Sequence, residues 1–249
     1  MTTYRAWNLK PLDRSALKEL TAAIAQQSTE ELESRAMETM DGEPWSEEKY
    51  QMTLAAQQKE AGLLAGILAA RGITDPAEAL TLLSGEEELT DPMLLTDMDK
   101  ACARILDAID REETIVVFGD YDVDGVTATA LLYQHLKGMG ANVKCMLPSR
   151  EGDGYGLSKN AIQSIHDKGC QLIVTVDNGI SALEEAEFAA SLGVDLIVTD
   201  HHLPHDTLPK AVAVVDPRRA DDTSPFKGLC GAGVAFKLCA GAGRRPPEE

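Results

Sequence analysis

The sequence has no run of about 18 apolar residues, the length that a membrane-spanning helix requires. Its amino-terminal residues contain no apolar segment of the kind found in secretory signal peptides, so a cytoplasmic location away from the membrane is predicted. The five cysteines form no Cys-x-x-Cys pair, and their odd number fits reduced thiols better than a disulfide framework. Most of the cysteines are therefore expected to be small core residues.

Basic residues are scarce, with 23 lysines and arginines against 41 aspartates and glutamates, which gives a net charge of −18. This balance argues against a general nucleic-acid-binding surface, because phosphate contacts need lysine and arginine. A role on nucleic acid would require a local basic groove, or divalent cations that bridge protein carboxylates to phosphates. The simpler explanation of the charge is solubility, which applies to most of the surface.

Motifs for several other chemistries are also missing. No serine or cysteine lies in a Gly-x-Ser-x-Gly turn, so the sequence offers no support for a nucleophilic hydrolase. The glycine-rich stretch 151–157 (EGDGYGL) has the wrong order and spacing for a Walker loop or a dinucleotide-binding turn. A tight turn or a segment that faces phosphate is the better interpretation of this stretch.

The first 111 residues are predicted to be helical. Apolar residues at helical spacing indicate helices at 15–25, 46–70, 76–84 and 98–109. Ser15 is the predicted N-cap of the first of these helices, and Asp75 precedes Pro76, a proline at the first helical position of the third. Because no cluster of chemically active side chains stands out here, the sequence assigns this region no chemistry.

From Thr114 the hydrophobic pattern changes to short apolar runs that alternate with helical segments. The runs are predicted strands at 114–118, 143–147, 172–176, 195–199 and 211–215, separated by predicted helices at 126–137, 158–166 and 181–191. This alternation is typical of an α/β fold with a parallel sheet covered by helices on both faces. Residues 112–249 are therefore predicted to form a second domain, after the helical amino-terminal region 1–111.

Polar side chains with metal-binding capacity follow three of the predicted strands. Right-handed crossovers place the carboxyl ends of all parallel strands at one edge of the sheet, so these side chains should converge. Each aspartate alone could be a helix cap, and one histidine alone could be a buried core residue. Together, carboxylate and imidazole groups suit manganese and related divalent ions, and a pair of ions can drive attack at phosphorus. The residues are Asp120, Asp122, Asp124, Asp177, Asp200, His201 and His202.

Five motifs resemble those of the DHH phosphoesterase superfamily, named for its Asp-His-His sequence. They are GDYDVDG at 119–125, GYGL at 154–157, VDNG at 176–179, TDHHLP at 199–204 and LCGAGVAFKL at 229–238. Within the superfamily, the chain is similar to the RecJ family of single-strand-specific 5′-to-3′ DNA exonucleases. RGITDP at 71–76 and WNLKPLD near the amino terminus extend this resemblance over nearly the whole chain.

The resemblance implies a metal-dependent hydrolysis of phosphodiester bonds by activated water, in DNA repair and recombination. It implies two ions of Mn²⁺ or Mg²⁺, with Asp177 able to bridge them. It implies that His202 donates a hydrogen bond to the scissile phosphate and that Asp120 orients its turn. Single-stranded DNA and a single-strand-binding protein are the implied partners. The implied metal ligands are Asp122, Asp124, Asp177 and His201, and the implied substrate contacts near the 5′ end are Arg150 and Tyr155.

The sequence departs from the family pattern at two places. Phe118 stands where some relatives place a histidine ligand, and a further aspartate ligand expected downstream of residue 238 is absent. We therefore expect an amino-terminal piece of a longer protein, with weak or no nuclease activity of its own. Two alternatives stay open from the sequence: a phosphodiesterase of the same superfamily acting on short RNA or cyclic dinucleotides, and an inactive binding module.

Overall fold

A computed structural model describes residues 13–37, 45–85, 89–148 and 156–243. The chain forms two compact units that divide between Leu89 and Thr90. No helix among the described residues is long and apolar enough to cross a bilayer. The described part of the first unit forms three helices, α1 (Arg14–Met37), α2 (Glu47–Ala70) and α3 (Pro76–Ser84).

The helices of the first unit pack around a small apolar cluster that includes Leu20, Ala65 and Leu68. The predicted cap of α3 is confirmed, because Asp75 accepts a hydrogen bond from the backbone amide of Glu78 at 2.9 Å. The prediction for α1 was wrong at both ends. Asp13 rather than Ser15 precedes the helix and accepts from the Ser15 amide, and the helix continues to Met37. Its second half carries Gln–Glu pairs at i,i+4, which support a helix without a wide apolar face.

The second unit is an α/β domain with a five-stranded parallel sheet, as predicted. The strand order is β2 (Asn142–Met146), β1 (Thr114–Phe118), β3 (Leu172–Val176), β4 (Asp195–Thr199) and β5 (Ala213–Val215), so β1, β3 and β4 are interior. A short 3₁₀ turn at Pro92–Leu94 precedes the first helix of the unit. The elements in chain order are α4 (Met98–Asp110), β1 (Thr114–Phe118), α5 (Val123–Gly138), β2 (Asn142–Met146), α6 (Lys159–His166), β3 (Leu172–Val176), α7 (Leu183–Ser191), β4 (Asp195–Thr199), β5 (Ala213–Val215) and α8 (Gly231–Ala242).

Helices cover both faces of the sheet because its interior strands β1, β3 and β4 are apolar and buried on both sides. Successive residues of β1 point to opposite faces: Ile115 and Val117 belong to the cluster formed with α4, α5 and α8. Val116 and Phe118 belong to the cluster formed with α6 and α7. The sheet is therefore held between two layers of helices, and its carboxyl edge is left for the loops that follow the strands.

Helix α4 belongs to the second unit, whereas the sequence predicts that the second domain begins at residue 112. Its apolar face, with Ala101 and Ile105, is buried in the same cluster as the sheet and α8. On its polar side, Arg104 binds Asp195 at 2.7 Å and Glu113 at 2.6 Å. The spacing of apolar residues shows that one face of α4 is apolar, but it does not show that this face packs against the sheet. From the sequence alone, α4 is therefore assigned to the preceding helical region.

A buried carboxylate joins the start of this unit to the loop before α8. Asp222 accepts hydrogen bonds from the backbone amides of Thr96, at 2.8 Å, and Ser224, at 3.0 Å, and it pairs with Lys227. Burial acts to raise the pKa of Asp222, but the Lys227 ammonium and the hydrogen bonds outweigh it and lower this pKa to about 2. The ionised form of Asp222 therefore stabilises the folded chain.

Replacing Asp222 by asparagine is expected to lower the free energy of unfolding by about 2 kcal/mol at pH 7. The folded pKa lies below the unfolded one, so the contribution is complete above about pH 4 and is lost as the pH falls toward 2. Urea unfolding of D222N and wild type between pH 2 and pH 7 measures this dependence. The exposed Asp206 provides the control D206N, and a pH-independent difference for D222N would contradict the account.

Candidate metal centre

The turn after β1 brings three aspartates to the carboxyl edge of the sheet. Asp122 is the N-cap of α5, and its Oδ1 accepts from the Gly125 amide at 2.9 Å. Asp120 is buried and accepts from the amide of Tyr121 at 2.7 Å. A Cβ at Gly125 would lie only 2.7 Å from the backbone of Asp120, so the turn closes only with glycine at this position.

Asp124 lies in the first turn of α5 and is held by the amino-terminal end of α8. The amides of Gly231 and Ala232 each donate to its carboxylate at 2.7 Å. Burial acts to raise the pKa of Asp124, but these backbone hydrogen bonds outweigh it, so the pKa lies below its ordinary value. Asp124 therefore stays ionised, and its Oδ2 lies 3.6 Å from His201 Nε2.

Asp177 follows β3 and is the most constrained carboxylate of the site. Its backbone is left-handed, with φ of 62°, and the residue is only 1% exposed. Its Oδ1 lies 3.0 Å from His201 Nε2 but makes no hydrogen bond of good geometry within the described part of the chain. Burial, together with the charges of Asp124 and Asp122, raises the pKa of Asp177 to about 7. The charge of the nearby His202 acts in the opposite direction but is outweighed, so an ionised Asp177 is only partly compensated.

Asp200 holds both histidines of the loop after β4 in position. This buried carboxylate accepts from the amides of Ile180 at 2.9 Å, His201 at 2.7 Å and His202 at 3.2 Å. Its Oδ1 also lies 2.7 Å from Nδ1 of the His202 ring. Burial acts to lower the pKa of His202, but the bond to Asp200 outweighs it, so this pKa is raised. Burial, followed by the neighbouring His202, lowers the pKa of His201.

Two groups of potential ligand atoms meet at the site, and Asp177 belongs to both. One consists of Asp120, Asp122 and Asp177, and the other of Asp177, His201 and His202; the atoms of each lie within 4.8 Å of one another. The three strand ends that the sequence singled out therefore do converge. The predicted substrate contacts, Arg150 and Tyr155, lie outside the described residues.

Two buried carboxylates at this edge differ from what the sequence indicates. The sequence places Asp200 among the converging polar side chains, but its bonds to both histidines depend on the fold of the loop. Asp216, directly after β5, is fully buried, and burial raises its pKa to about 7, with the charge of Asp200 contributing. The rule that identified the other strand ends would have found Asp216, because it follows the fifth predicted strand.

The chain is similar to known proteins in both sequence and fold. The family model "DHH family, N-terminal domain" matches residues 114–249. The chain is 41% identical over 199 residues to the single-stranded-DNA-specific exonuclease RecJ of Bacillus subtilis, a match that covers 79% of this chain and 25% of that protein. It is 42% identical over 177 residues to RecJ of Escherichia coli, covering 71% and 30%. The chain thus spans less than a third of these relatives.

Two solved structures are similar as well. A crystal structure of exonuclease RecJ bound to manganese matches with a TM-score of 0.55 and 36% identity, covering 61% of this chain and 40% of that one. RecJ of Thermus thermophilus in complex with Mn²⁺ matches with a TM-score of 0.58 and 30% identity, covering 75% and 26%. In both cases the fold and a substantial part of the sequence agree.

Proposed function

Because this chain belongs to the DHH family, we propose that it provides the metal-binding domain of an exonuclease that hydrolyses single-stranded DNA from its 5′ end. The observation that carries the proposal is Asp177, a buried carboxylate shared by two groups of ligand atoms. The similarity to RecJ proteins supports the substrate, and the site supports the chemistry.

The residues at the site fit divalent cations. Oxygen donors from aspartates suit Mg²⁺ and Mn²⁺, and an imidazole nitrogen is compatible with Mn²⁺. Asp177 Oδ1 is buried without a hydrogen bond of its own among the described residues, as expected for an atom that binds a cation. Asp122, Asp124, Asp177 and His201 would hold two such ions, and Asp177 would be shared between them. When bound, such ions lower the pKa of a coordinated water and neutralise charge on the phosphate.

The surrounding residues fix these ligands and orient the phosphate. The α8 amides hold Asp124 in one position and keep it ionised. Asp200 orients the His202 ring through Nδ1 and favours its protonated form, so that His202 donates a hydrogen bond to a phosphate oxygen as negative charge develops. Asp120 supports the turn that carries Asp122.

The remaining partners are proposed from the resemblance alone. Arg150 is suited to a phosphate because its guanidinium forms paired hydrogen bonds, and Tyr155 is suited to stack on a base. A single-strand-binding protein and a cytoplasmic location complete the proposal. The match covers only a quarter of the Bacillus relative.

Metal-dependent DNA binding tests the proposal. A chain with a net charge of −18 repels DNA, so a 5′-phosphorylated single strand is expected to bind only when cations bridge it to the carboxylates. Fluorescence anisotropy of a labelled oligonucleotide should show binding in Mn²⁺ that EDTA reverses and that D122N loses. The exposed Asp206 gives the matched control D206N, which should bind like wild type.

Competition separates the proposed substrate from the alternatives. Unlabelled single strand should displace the labelled oligonucleotide at far lower concentration than a blunt duplex or a cyclic dinucleotide. Binding that persists in EDTA would show that DNA binding does not require divalent ions and would contradict the proposal. Preferential displacement by the cyclic dinucleotide would instead favour the phosphodiesterase of the same superfamily.

A further inference from the structure

Strand β2 lies at one edge of the sheet. Among the described residues it pairs with β1 only, and its own residues are exposed or partly exposed, whereas those of the interior strands are mostly buried. The Met146 carbonyl accepts from the Gly119 amide at 3.1 Å and therefore faces β1. Because backbone groups alternate in direction along a strand, Cys145 directs its amide and its carbonyl outward. An edge of this kind is a template for pairing with another extended segment.

An apolar groove of about 530 Å³ adjoins β2 on the face of the sheet that α5 covers. Ala130 and Tyr133 of α5 line one wall of this groove, and Cys145 and Leu147 line the other. Two of its apolar side chains remain open to solvent, with Val126 43% and Leu147 41% exposed. Exposed apolar surface beside an open strand edge suits the apolar side chains of an added strand.

The opposite face of β2 is basic. Lys144 and Lys168 line a smaller cavity of about 130 Å³ between β2 and the end of α6. Both lysines are exposed, and the described part of the chain offers neither of them an ion pair. Other lysines of the second unit do pair with carboxylates; they are Lys100, Lys159, Lys210 and Lys227. In a chain with a net charge of −18, these two lysines favour an acidic ligand at this edge.

The charge of Lys144 argues against a second copy of the chain as the occupant of the edge. Antiparallel pairing of two β2 strands, each only five residues long, brings Lys144 opposite or close to its own counterpart. Like charges at such positions are destabilising, and lysine on an edge strand opposes self-pairing. Two chains that each carry a charge of −18 also repel one another. The occupant should therefore be acidic and should differ from this chain.

We propose that β2 binds an extended segment of a partner protein in which apolar and acidic residues alternate. The backbone of this segment exchanges hydrogen bonds with the outward amide and carbonyl of Cys145. Its apolar side chains enter the groove beside Ala130 and Tyr133, and its acidic side chains meet Lys144 and Lys168 on the other face. Backbone bonds supply affinity in this mode of recognition, and the pockets on the two faces select the side chains. Because no proposed metal ligand lines either cavity, binding here needs no metal ion.

An eight-residue peptide of alternating leucine and glutamate, labelled with fluorescein, is the probe. Its anisotropy should rise saturably as the full 249-residue chain is added in EDTA. A peptide of the same composition with the repeat Leu-Leu-Glu-Glu should bind at least about tenfold more weakly, because it cannot present one apolar and one acidic face as a strand. In NMR spectra, hydrogen exchange of the Cys145 amide should slow at least about tenfold in the complex, since this amide becomes hydrogen-bonded.

Two pairs of variants test the backbone pairing and the groove separately. C145P removes the outward N–H and leaves the ladder to β1 intact, as proline can on an edge strand, so it should abolish peptide binding. C145A keeps this N–H and should bind like wild type. A130W fills the groove with an indole and should weaken binding at least about tenfold, whereas A190W, at an exposed position of α7, should leave it unchanged.

Charge reversal tests the basic face. K144E should weaken peptide binding about three- to tenfold, because an attraction becomes a repulsion, whereas K59E on α2 should have little effect. Thermal unfolding checks that each variant is folded, and A130W and K144E carry the test if C145P is not. Absent saturable binding, equal affinities in folded C145P and C145A, or unchanged exchange of the Cys145 amide with saturating peptide would overturn the proposal. Self-association of the chain that C145P abolishes would identify a second copy as the occupant and would also overturn it.

Discussion

Replacing Asp177 by asparagine is expected to stabilise the metal-free chain at pH 8 and to remove the stabilisation that manganese provides. Both effects come from one buried carboxylate whose pKa, raised to about 7 by burial and by Asp124 and Asp122, is far above its ordinary value of 3.8. Above pH 7 the folded chain holds this negative charge with only partial compensation from the nearby His202. Asparagine removes the charge, and it tolerates the left-handed backbone at this position.

The sign of the effect follows from the two pKa values. In the folded, metal-free chain the Asp177 carboxyl stays protonated to about pH 7, whereas in the unfolded chain it ionises near pH 4. The stability of the wild type therefore falls as the pH rises from 4 to 7. Relative to wild type, D177N should gain up to about 4 kcal/mol above pH 7, and the gain should vanish near pH 4.

Manganese is expected to make the wild type more stable than D177N, the reverse of their order in EDTA at pH 8. Binding to the folded state alone raises the stability of the wild type with increasing concentration. Loss of a group that only orients a metal ligand already costs about 10–100-fold in metal affinity, so if Asp177 is a ligand, as proposed, its loss should cost at least about 100-fold. Urea unfolding of wild type, D177N and the exposed control D206N at pH 4.5 and 8, each with EDTA or Mn²⁺, measures both effects. A D177N chain that manganese stabilises like wild type would contradict the assignment of Asp177.

Replacing Gly231 by alanine is the second large expected effect. A Cβ at this position would lie within 2.5 Å of the Asp177 side chain, a separation that real Cβ atoms do not show. The first turn of α8 would then have to move away from Asp177. The backbone amides of Gly231 and Ala232, which donate hydrogen bonds to Asp124, would move with it. Overpacking of this kind costs about 1–3 kcal/mol of stability, and the displaced Asp124 should also weaken manganese binding at least about tenfold.

Gly233 provides the matched control on the same helix. A Cβ there meets mainly the end of the Leu229 side chain, at 3.2 Å, which can shift, and alanine favours the helix over glycine. G233A should therefore be as stable as wild type or slightly more stable, with unchanged manganese affinity. Isothermal titration and thermal unfolding of both variants test this contrast. Equal behaviour of G231A and G233A would show that α8 does not position the ligands.

The sheet could be predicted from the sequence because each strand is indicated by the residues of one short, continuous segment. Each apolar run has the length of a strand, and the alternation with helices fixes a parallel arrangement, so the strand at 114–118 and the convergence of Asp122, Asp177 and His201 followed. The length of α1 was missed for a local reason as well. Its second half is stabilised by polar pairs rather than by an apolar stripe, which the periodicity does not detect.

The contacts that hold the site residues in position could not be predicted, because they join parts of the chain that are distant in sequence. The Asp124 carboxylate meets the amides at the start of α8, more than 100 residues later, and no pattern in either segment indicates this contact. The need for glycine at 231 likewise arises only where α8 approaches Asp177. The same holds for Asp200, whose bond to the Ile180 amide joins two loops.

The central claim is that divalent ions bind where β1, β3 and β4 end, with His201 as the nitrogen ligand. Pulsed EPR of Mn²⁺ bound to the chain tests it most directly, because an imidazole ligand gives a nitrogen modulation of the manganese signal. The account predicts saturable binding with this modulation in wild type, its loss in H201A, and its retention in H205A, which alters an exposed histidine of the same loop. Absence of saturable binding, or a modulation that survives in H201A, would contradict it.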